Sequence, residues 1–236
     1  MSIGISPYAA QTFSGEYVDA IEPKAETLKI IDLAVGLASG KRFNGQTHHQ
    51  GRWVTYPIAA HATRGSIEIE RVKPALCDRY PKLPLAFLLH EGDEGIVFPD
   101  IISPAGRALN KIAGRDIVTQ FKNQHQREWH RKVGLPWPLP VEMADAIEHM
   151  DLTLLATEAR DLKGNPPWAK DLPAPLHTPT VPISERAAAF VFLSRLIELT
   201  EGEIQAEAWE AHAQLTSETT RVAGDIVAHE RALRLA

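Results

Sequence analysis

The chain has 236 residues, of which 44% are hydrophobic and 23% are charged, and its formal net charge is −5. This composition is typical of a soluble globular protein, and the absence of a dense lysine and arginine run argues against a general nucleic-acid-binding protein. No apolar run approaches the ~20 residues that cross a bilayer, and we expect neither a secretory signal nor a membrane partner. Cys77 is the only cysteine, which excludes an intrachain disulfide and fits a cytoplasmic protein.

The first part of the chain is predicted to be loop and turn to about residue 26, followed by a helix over 27–38. The turn Arg42-Phe43-Asn44-Gly45 then places a guanidinium beside an aromatic ring. A guanidinium suits phosphate oxygens, and a neighbouring ring can support a base or a sugar. The alternative is that Arg42 is an ordinary surface charge, because a single arginine is weak evidence for a site.

A second helix is predicted over about 57–72, because Pro57 suits a first helical turn, and this helix carries His61. A lone helical histidine is more often structural than a ligand, so its assignment depends on partners elsewhere in the chain. The preceding polar segment, 47–55, is predicted to be a loop, and its adjacent histidines are expected to be solvated or close to a substrate. The segment 74–84 contains three prolines and is predicted to be a linker.

The apolar run Leu85-Ala86-Phe87-Leu88-Leu89 ends abruptly in His90, Glu91, Asp93 and Glu94. Its leucines have helical spacing and are expected to face a core, and Glu94, one turn beyond His90, can share its face. Burying an imidazole beside carboxylates is costly unless a divalent cation compensates. The alternative is a helix end followed by a solvated acidic loop, and this stretch alone does not decide between the two.

The second half of the chain is predicted to alternate helices with proline-rich connections. The six prolines of 164–183 predict an extended connecting segment, and Ser184 is predicted to cap the helix that follows it. Arg107 is expected either to lie near the functional site or to be an exposed residue on a solvated helix face. After a segment over 100–109, an amphipathic helix is predicted over 115–133, followed by a helix from about 141 that carries Asp151. The helix capped by Ser184 is predicted to run to 199, and one or two further helices are predicted over 203–235.

His61, the pair His90-Glu91 and the distant Asp151 occur in the order that is typical of HD-domain metal-dependent phosphohydrolases. Over roughly residues 12–200 the chain resembles the branch of that family containing 5'-deoxynucleotidases and phage-type deoxynucleotide phosphohydrolases. The other segments that carry the resemblance are Phe13-Ser14-Gly15, Ile31-Asp32-Leu33-Ala34, Arg42-Phe43-Asn44-Gly45, Asp100-Ile101-Ile102-Ser103-Pro104, Gly134-Leu135-Pro136 and Leu155-Ala156-Thr157-Glu158-Ala159-Arg160-Asp161-Leu162. The chain departs from the family at Glu91, where the family has aspartate.

The resemblance implies an all-α HD-domain helical fold over residues 1–200, with a metal site in its helical core, and a C-terminal helical extension over 201–236. A donor set of two nitrogens and carboxylate oxygens leaves room for water and a substrate oxygen. Such a set suits Mn, Co, Fe, Zn, Ni or Mg and does not select one of them. The implied metal ligands are His61, His90, Glu91 and Asp151.

The resemblance also implies roles in catalysis and in substrate binding. Glu94 would accept a proton from the attacking water or orient it, and Asp100 would assist it or protonate the leaving oxygen. Arg42 would hold the phosphate, with Phe43 beside it. A bound divalent ion neutralises phosphate charge, orients the phosphate and lowers the pKa of a bound water toward ~7.

The implied function is hydrolysis of a nucleotide phosphate bond by a cytoplasmic homo-oligomer, with phosphate released from deoxynucleoside 5'-monophosphates. One alternative is a deoxynucleoside triphosphohydrolase, which releases triphosphate from the same site. An alternative of another class is a nucleotide-binding HD relative with weak or no catalysis, which Glu91 in place of aspartate motivates.

Overall fold

The computed structural model describes residues 5–98 and 100–235, and describes side chains in the last helix up to residue 218. The outermost residues of the predicted N-terminal loop and C-terminal extension, and Pro99 in the predicted break after Glu94, lie outside the described residues. The described helices are α1 (Ile30–Ser39), α2 (Ile58–Val72), α3 (Pro74–Arg79), α4 (Leu83–Leu88), α5 (Ser103–Ala113), α6 (Ile117–Val133), α7 (Val141–Leu162), α8 (Glu185–Leu199) and α9 (Gly202–Leu235).

The chain is mostly helical, as predicted, but it also forms two small antiparallel sheets. The strands are β1 (Ala9–Gln11), β2 (Tyr17–Asp19), β3 (Thr47–His49) and β4 (Arg52–Val54). The prediction that 47–55 is a plain loop was therefore wrong. Gln50 and Gly51, at φ 49° and 75°, close β3 onto β4 with Thr47 opposite Val54, and two consecutive positive φ angles are the signature of a tight hairpin turn.

Helix α2 lies at the centre of the fold and packs against α1, α4, α7 and α8. Small residues on either side of its histidine, including Ala59 and Ala62, are fully buried, which lets neighbouring helices approach closely. Helix α8 in turn contacts α1 and α9, and the side chain of Ser184 caps its N-terminus as predicted. The position of α2 puts His61 inside the helical core, with none of its surface exposed.

The prediction that 74–84 is a linker was wrong, because α3 and α4 begin within it. Pro74 and Pro84 each occupy the first turn of a helix, where a missing N–H costs nothing. Helix α4 then ends at Leu88, before His90. Glu94 lies in a separate 3₁₀ turn, Gly92–Glu94, rather than one helical turn beyond His90.

Two glycines bring α1 against that 3₁₀ turn. A Cβ added to Gly36 of α1 would lie 1.4 Å from the carbonyl oxygen of Gly95, and a backbone atom cannot rotate away as a side chain can. Gly36→Ala is therefore expected to lower the free energy of unfolding by about 1–3 kcal/mol, despite the better helix propensity of alanine. Urea denaturation followed by circular dichroism measures this change.

Gly106→Ala in α5 is the matched control, because its added Cβ meets its first neighbour, a methyl carbon of Ile101, at 3.7 Å. That contact is ordinary, so this variant is expected to be at least as stable as the parent. Equal midpoints for the two variants would show that α1 can move away from the turn at little cost.

No helix among the described residues is long and apolar enough to cross a membrane.

Candidate metal centre

Four side chains from three separate parts of the chain meet beside α2. His61 comes from α2, His90 and Glu91 from the turn after α4, and Asp151 from α7. One ligand atom from each lies within 4.8 Å of the others. Oδ1 of Asp151 is 3.1 Å from Nε2 of His61 and 3.8 Å from Nε2 of His90. Atoms bound about 2.1 Å from one ion are about 3.0–4.2 Å apart, so this group could hold a metal ion.

Hydrogen bonds fix which nitrogen of each histidine faces the others. Nδ1 of His61 donates to the carboxylate of Glu158 at 2.6 Å, and Nδ1 of His90 donates to the carbonyl oxygen of Phe87 at 2.7 Å. In a neutral imidazole with Nδ1 protonated, Nε2 carries a lone pair. Among the described residues, Nε2 of both histidines and Oδ1 of Asp151 are buried without a hydrogen-bond partner. With Nε2 of His61 deprotonated, these three atoms would offer three lone pairs to a cation placed between them.

The charges around the cluster also favour a cation. The guanidinium of Arg42 lies 3.1 Å from Glu158, 3.3 Å from Glu91 and 3.9 Å from Asp151. With both histidines neutral, three carboxylates against one guanidinium leave a net charge of about −2 in a largely buried space, and one divalent ion would neutralise it. The longer side chain of Glu91, compared with aspartate, still reaches the cluster, with Oε1 3.6 Å from Nε2 of His90.

The ionisation of the cluster follows from its charges. Burial favours the neutral form of Asp151, but contacts with His61 and His90 hold its pKa well below the usual value. Burial and Arg42 act to lower the pKa of His61, whereas Glu158 and Asp151 outweigh them and raise it to about 9. A proton can therefore occupy Nε2 of His61 in the metal-free protein, and metal binding would displace that proton.

A second acidic group lies next to Glu91. Nζ of Lys122, on α6, is 2.5 Å from Glu94 and 3.3 Å from Asp93. Burial and the negative charge of Glu91 raise the pKa of Glu94 to about 9, although Lys122 opposes this. The other carboxylate oxygen of Glu94, Oε2, is buried without a partner among the described residues. Glu94 therefore has one oxygen paired to a lysine and one available to a bound molecule.

The cluster opens into a pocket of about 720 Å³, a size typical of small-molecule sites. Glu91 and Asp151 lie at its wall, and the residues predicted to bind substrate or assist catalysis line it as well: Arg42, Phe43, Glu94 and Asp100. Burial raises the pKa of Asp100. His48 and His49, on β3, lie outside this group of potential ligands among the described residues.

Sequence reasoning missed the roles of Glu158, Lys122 and Trp168. Glu158 follows Asp151 by two helical turns on α7, so its spacing could have placed it on the same face. Lys122 and Trp168 line the pocket from distant parts of the chain, and no local pattern connects either to the cluster. Arg107, for which the sequence allows a position near the site or on a solvated face, also lines the pocket.

Comparisons with known proteins give relatives but no function. No family model matches the chain. An uncharacterized protein of Rhodobacter capsulatus is 30% identical over 151 residues, which cover 64% of this chain and 71% of that protein. The uncharacterized protein YfdR of Escherichia coli K12 is 28% identical over 197 residues, which cover 81% of this chain and 95% of that protein. Any statement of function therefore depends on the site itself.

Proposed function

The chain belongs to the family of the Rhodobacter capsulatus protein, and we propose that it is a metal-dependent phosphohydrolase of the HD-domain type. The proposal rests on three buried atoms, Nε2 of His61, Nε2 of His90 and Oδ1 of Asp151, that have no hydrogen-bond partner among the described residues. They lie beside a pocket of small-molecule size, so a metal held there would be open to a substrate. The metal would polarise a phosphate oxygen and activate water.

The proposed substrate is a deoxynucleoside 5'-monophosphate. Four basic side chains line the pocket: Arg42, Arg107, Lys122 and Lys163. Arg42 and Lys122 already pair with carboxylates, and Lys163 donates to the carbonyl oxygen of Gln46. Among these four residues, Arg107 alone has neither an ion pair nor a hydrogen bond in the described part of the chain. One free guanidinium suits a single terminal phosphate better than a triphosphate, which supports the monophosphatase over the triphosphohydrolase.

Each of the chain's own groups has a role in this proposal. Arg42 orients the carboxylates of the cluster and lines the part of the pocket that holds the phosphate. Arg107 contacts the phosphate. A divalent ion bound beside Glu91 would offset the negative charge that raises the pKa of Glu94. Glu94 would then be ionised and could accept the proton of the attacking water through its unpaired Oε2, while Lys122 holds its other oxygen. Asp100 also lines the pocket, where it can protonate the leaving oxygen of the nucleoside.

Product identification tests the proposed reaction. The purified protein is incubated with a deoxynucleoside monophosphate or triphosphate and several divalent ions, and the released anion is identified by ion chromatography. We expect orthophosphate from the monophosphate. If the protein instead releases inorganic triphosphate from the deoxynucleoside triphosphate and does not hydrolyse the monophosphate, it is the triphosphohydrolase. If it binds a nucleotide but releases no anion, it is the non-catalytic relative.

Glu94→Gln is expected to leave the bound metal in place and to lower the turnover number by ~10²–10⁴, the usual contribution of a general base. The amide keeps the size of the side chain and can still accept from Lys122, but it cannot take a proton. Metal content by mass spectrometry and steady-state phosphate release measure the two effects separately.

The control for this variant is Glu203→Gln, an exposed position in the first turn of α9. It is expected to match the parent in both measurements. Parental turnover by Glu94→Gln would exclude Glu94 as the base, and loss of metal would place its role in the cluster instead.

A further inference from the structure

Trp168 lies in a single 3₁₀ turn, Pro167–Asp171, within the proline-rich segment between α7 and α8. Half of its surface is exposed. Its ring faces that of Phe43, with the ring centroids 6.3 Å apart and the planes tilted by 39°. Both residues line the pocket that contains Glu91 and Asp151, so two aromatic rings from distant segments form one wall of the proposed active site.

The backbone of Phe43 is held in an unusual conformation. Phe43 and Asn44 have φ angles of 56° and 51°, in the left-handed region where residues other than glycine carry strain of order 1 kcal/mol or more. Such strain persists where the surrounding structure fixes it, and it is concentrated at functional sites. Arg42 precedes Phe43 and contacts Glu91 and Asp151. The same strained turn therefore joins the metal cluster to the aromatic wall.

Polar groups next to the two rings complete a site for a flat, polar ring. Nζ of Lys163 lies 5.8 Å from the ring centroid of Phe43, and Asn44 and Gln46 line the same pocket. Amide side chains both donate and accept hydrogen bonds, as the edge of a nucleobase requires. The face of a base stacks on aromatic side chains whatever its identity.

We propose that Phe43 and Trp168 form the subsite for the nucleobase, so that the pocket selects nucleotides over sugar phosphates that lack a base. This inference rests on the proposed function, since it assigns another part of the same pocket. The metal cluster and Arg107 hold the phosphate end, and the wall of Phe43 and Trp168 holds the base. Trp168 is a specificity-determining residue that does not touch the reacting atoms.

The test compares a ligand with a base and a ligand without one. Equilibrium dialysis without added metal, so that neither ligand is hydrolysed, gives the dissociation constants of a deoxynucleoside 5'-monophosphate and of 2-deoxyribose 5-phosphate for the parent protein and for Trp168→Ala. Loss of the stacking partner is expected to weaken nucleotide binding about 5- to 150-fold and to leave binding of the sugar phosphate within about twofold of the parent. In turnover, KM for the nucleotide is expected to rise more than kcat falls.

Two further variants show whether the effect comes from stacking. Trp168→Phe keeps a ring and is expected to retain most of the preference for the nucleotide. Trp209→Ala, an equally accessible tryptophan on α9 that does not line the pocket, is expected to behave as the parent. Thermal unfolding of each variant confirms that the fold is kept.

The outcomes separate this inference from the proposed function. A parent that binds the nucleotide through Trp168 but releases no phosphate would contradict the proposed function and leave the base subsite standing. A parent that releases phosphate, with Trp168→Ala keeping the full preference for the nucleotide, would overturn the base subsite alone. The base subsite would also be overturned if Trp168→Ala weakened the binding of both ligands equally, or if the parent protein bound the nucleotide no more tightly than the sugar phosphate.

Discussion

Changing Asp151 to alanine is expected to remove the bound metal and abolish phosphate release together. Its Oδ1 lies 3.1 Å and 3.8 Å from Nε2 of the two histidines, so it is the carboxylate that joins them in one cluster. Without this carboxylate the remaining ligands carry less negative charge to balance the ion, and metal affinity falls as ligands are lost. Metal content after gel filtration and phosphate release under saturating substrate measure the two losses.

Asp145→Ala is the matched control, because Asp145 lies on the same helix, α7, but is exposed. This variant is expected to retain parental metal content and turnover. Full metal and full turnover in Asp151→Ala would show that the ligand set is wrong.

The second large effect is expected at Glu158, which is not one of the four grouped ligands but contacts one of them, His61, directly. Its fully buried carboxylate accepts from Nδ1 of His61 and from Nε of Arg42. In Glu158→Gln only the amide oxygen can accept, so one of these two donors loses its partner. Changes of this kind in the groups that orient a ligand histidine lower metal affinity about 10- to 100-fold.

Competition with a fluorescent metal chelator measures that affinity, and Glu148→Gln, at an exposed position of the same helix, is the control. Glu158→Ala is expected to go further and destabilise the fold by about 3–5 kcal/mol, because it leaves a buried guanidinium with fewer partners. Unchanged metal affinity in Glu158→Gln would mean that His61 is oriented without it.

Helical periodicity was sufficient to place the main helices of the fold. The helices predicted over 57–72 and 115–133 and from 141 match α2, α6 and α7 closely, since each combines an apolar face with a clear start. Proline-based reasoning failed over 74–84, because a proline that begins a helix and a proline in a linker look alike locally. The β3–β4 hairpin was missed because each of its strands is only three residues long.

The candidate site was accessible from the sequence only in part. The ordered positions of His61, His90, Glu91 and Asp151 came from a family resemblance, and the structure brings these four side chains together. Helical spacing alone placed Glu94 on a helix that in fact ends at Leu88. Contacts between distant segments, such as Lys122 with Glu94, arise from tertiary packing and leave no local pattern. The predicted homo-oligomer and the division at residue 200 stay predictions.

Metal analysis of the untagged protein, purified without an immobilised-metal column, tests the central claim most directly. Inductively coupled plasma mass spectrometry after dialysis against a divalent-ion mixture gives the number and identity of bound ions per chain. We expect about one transition-metal ion per chain, lost in Asp151→Ala and retained in Asp145→Ala. A parent protein that holds no stoichiometric metal under these conditions, yet binds a nucleotide, would contradict the metal centre and support a nucleotide-binding relative without catalysis.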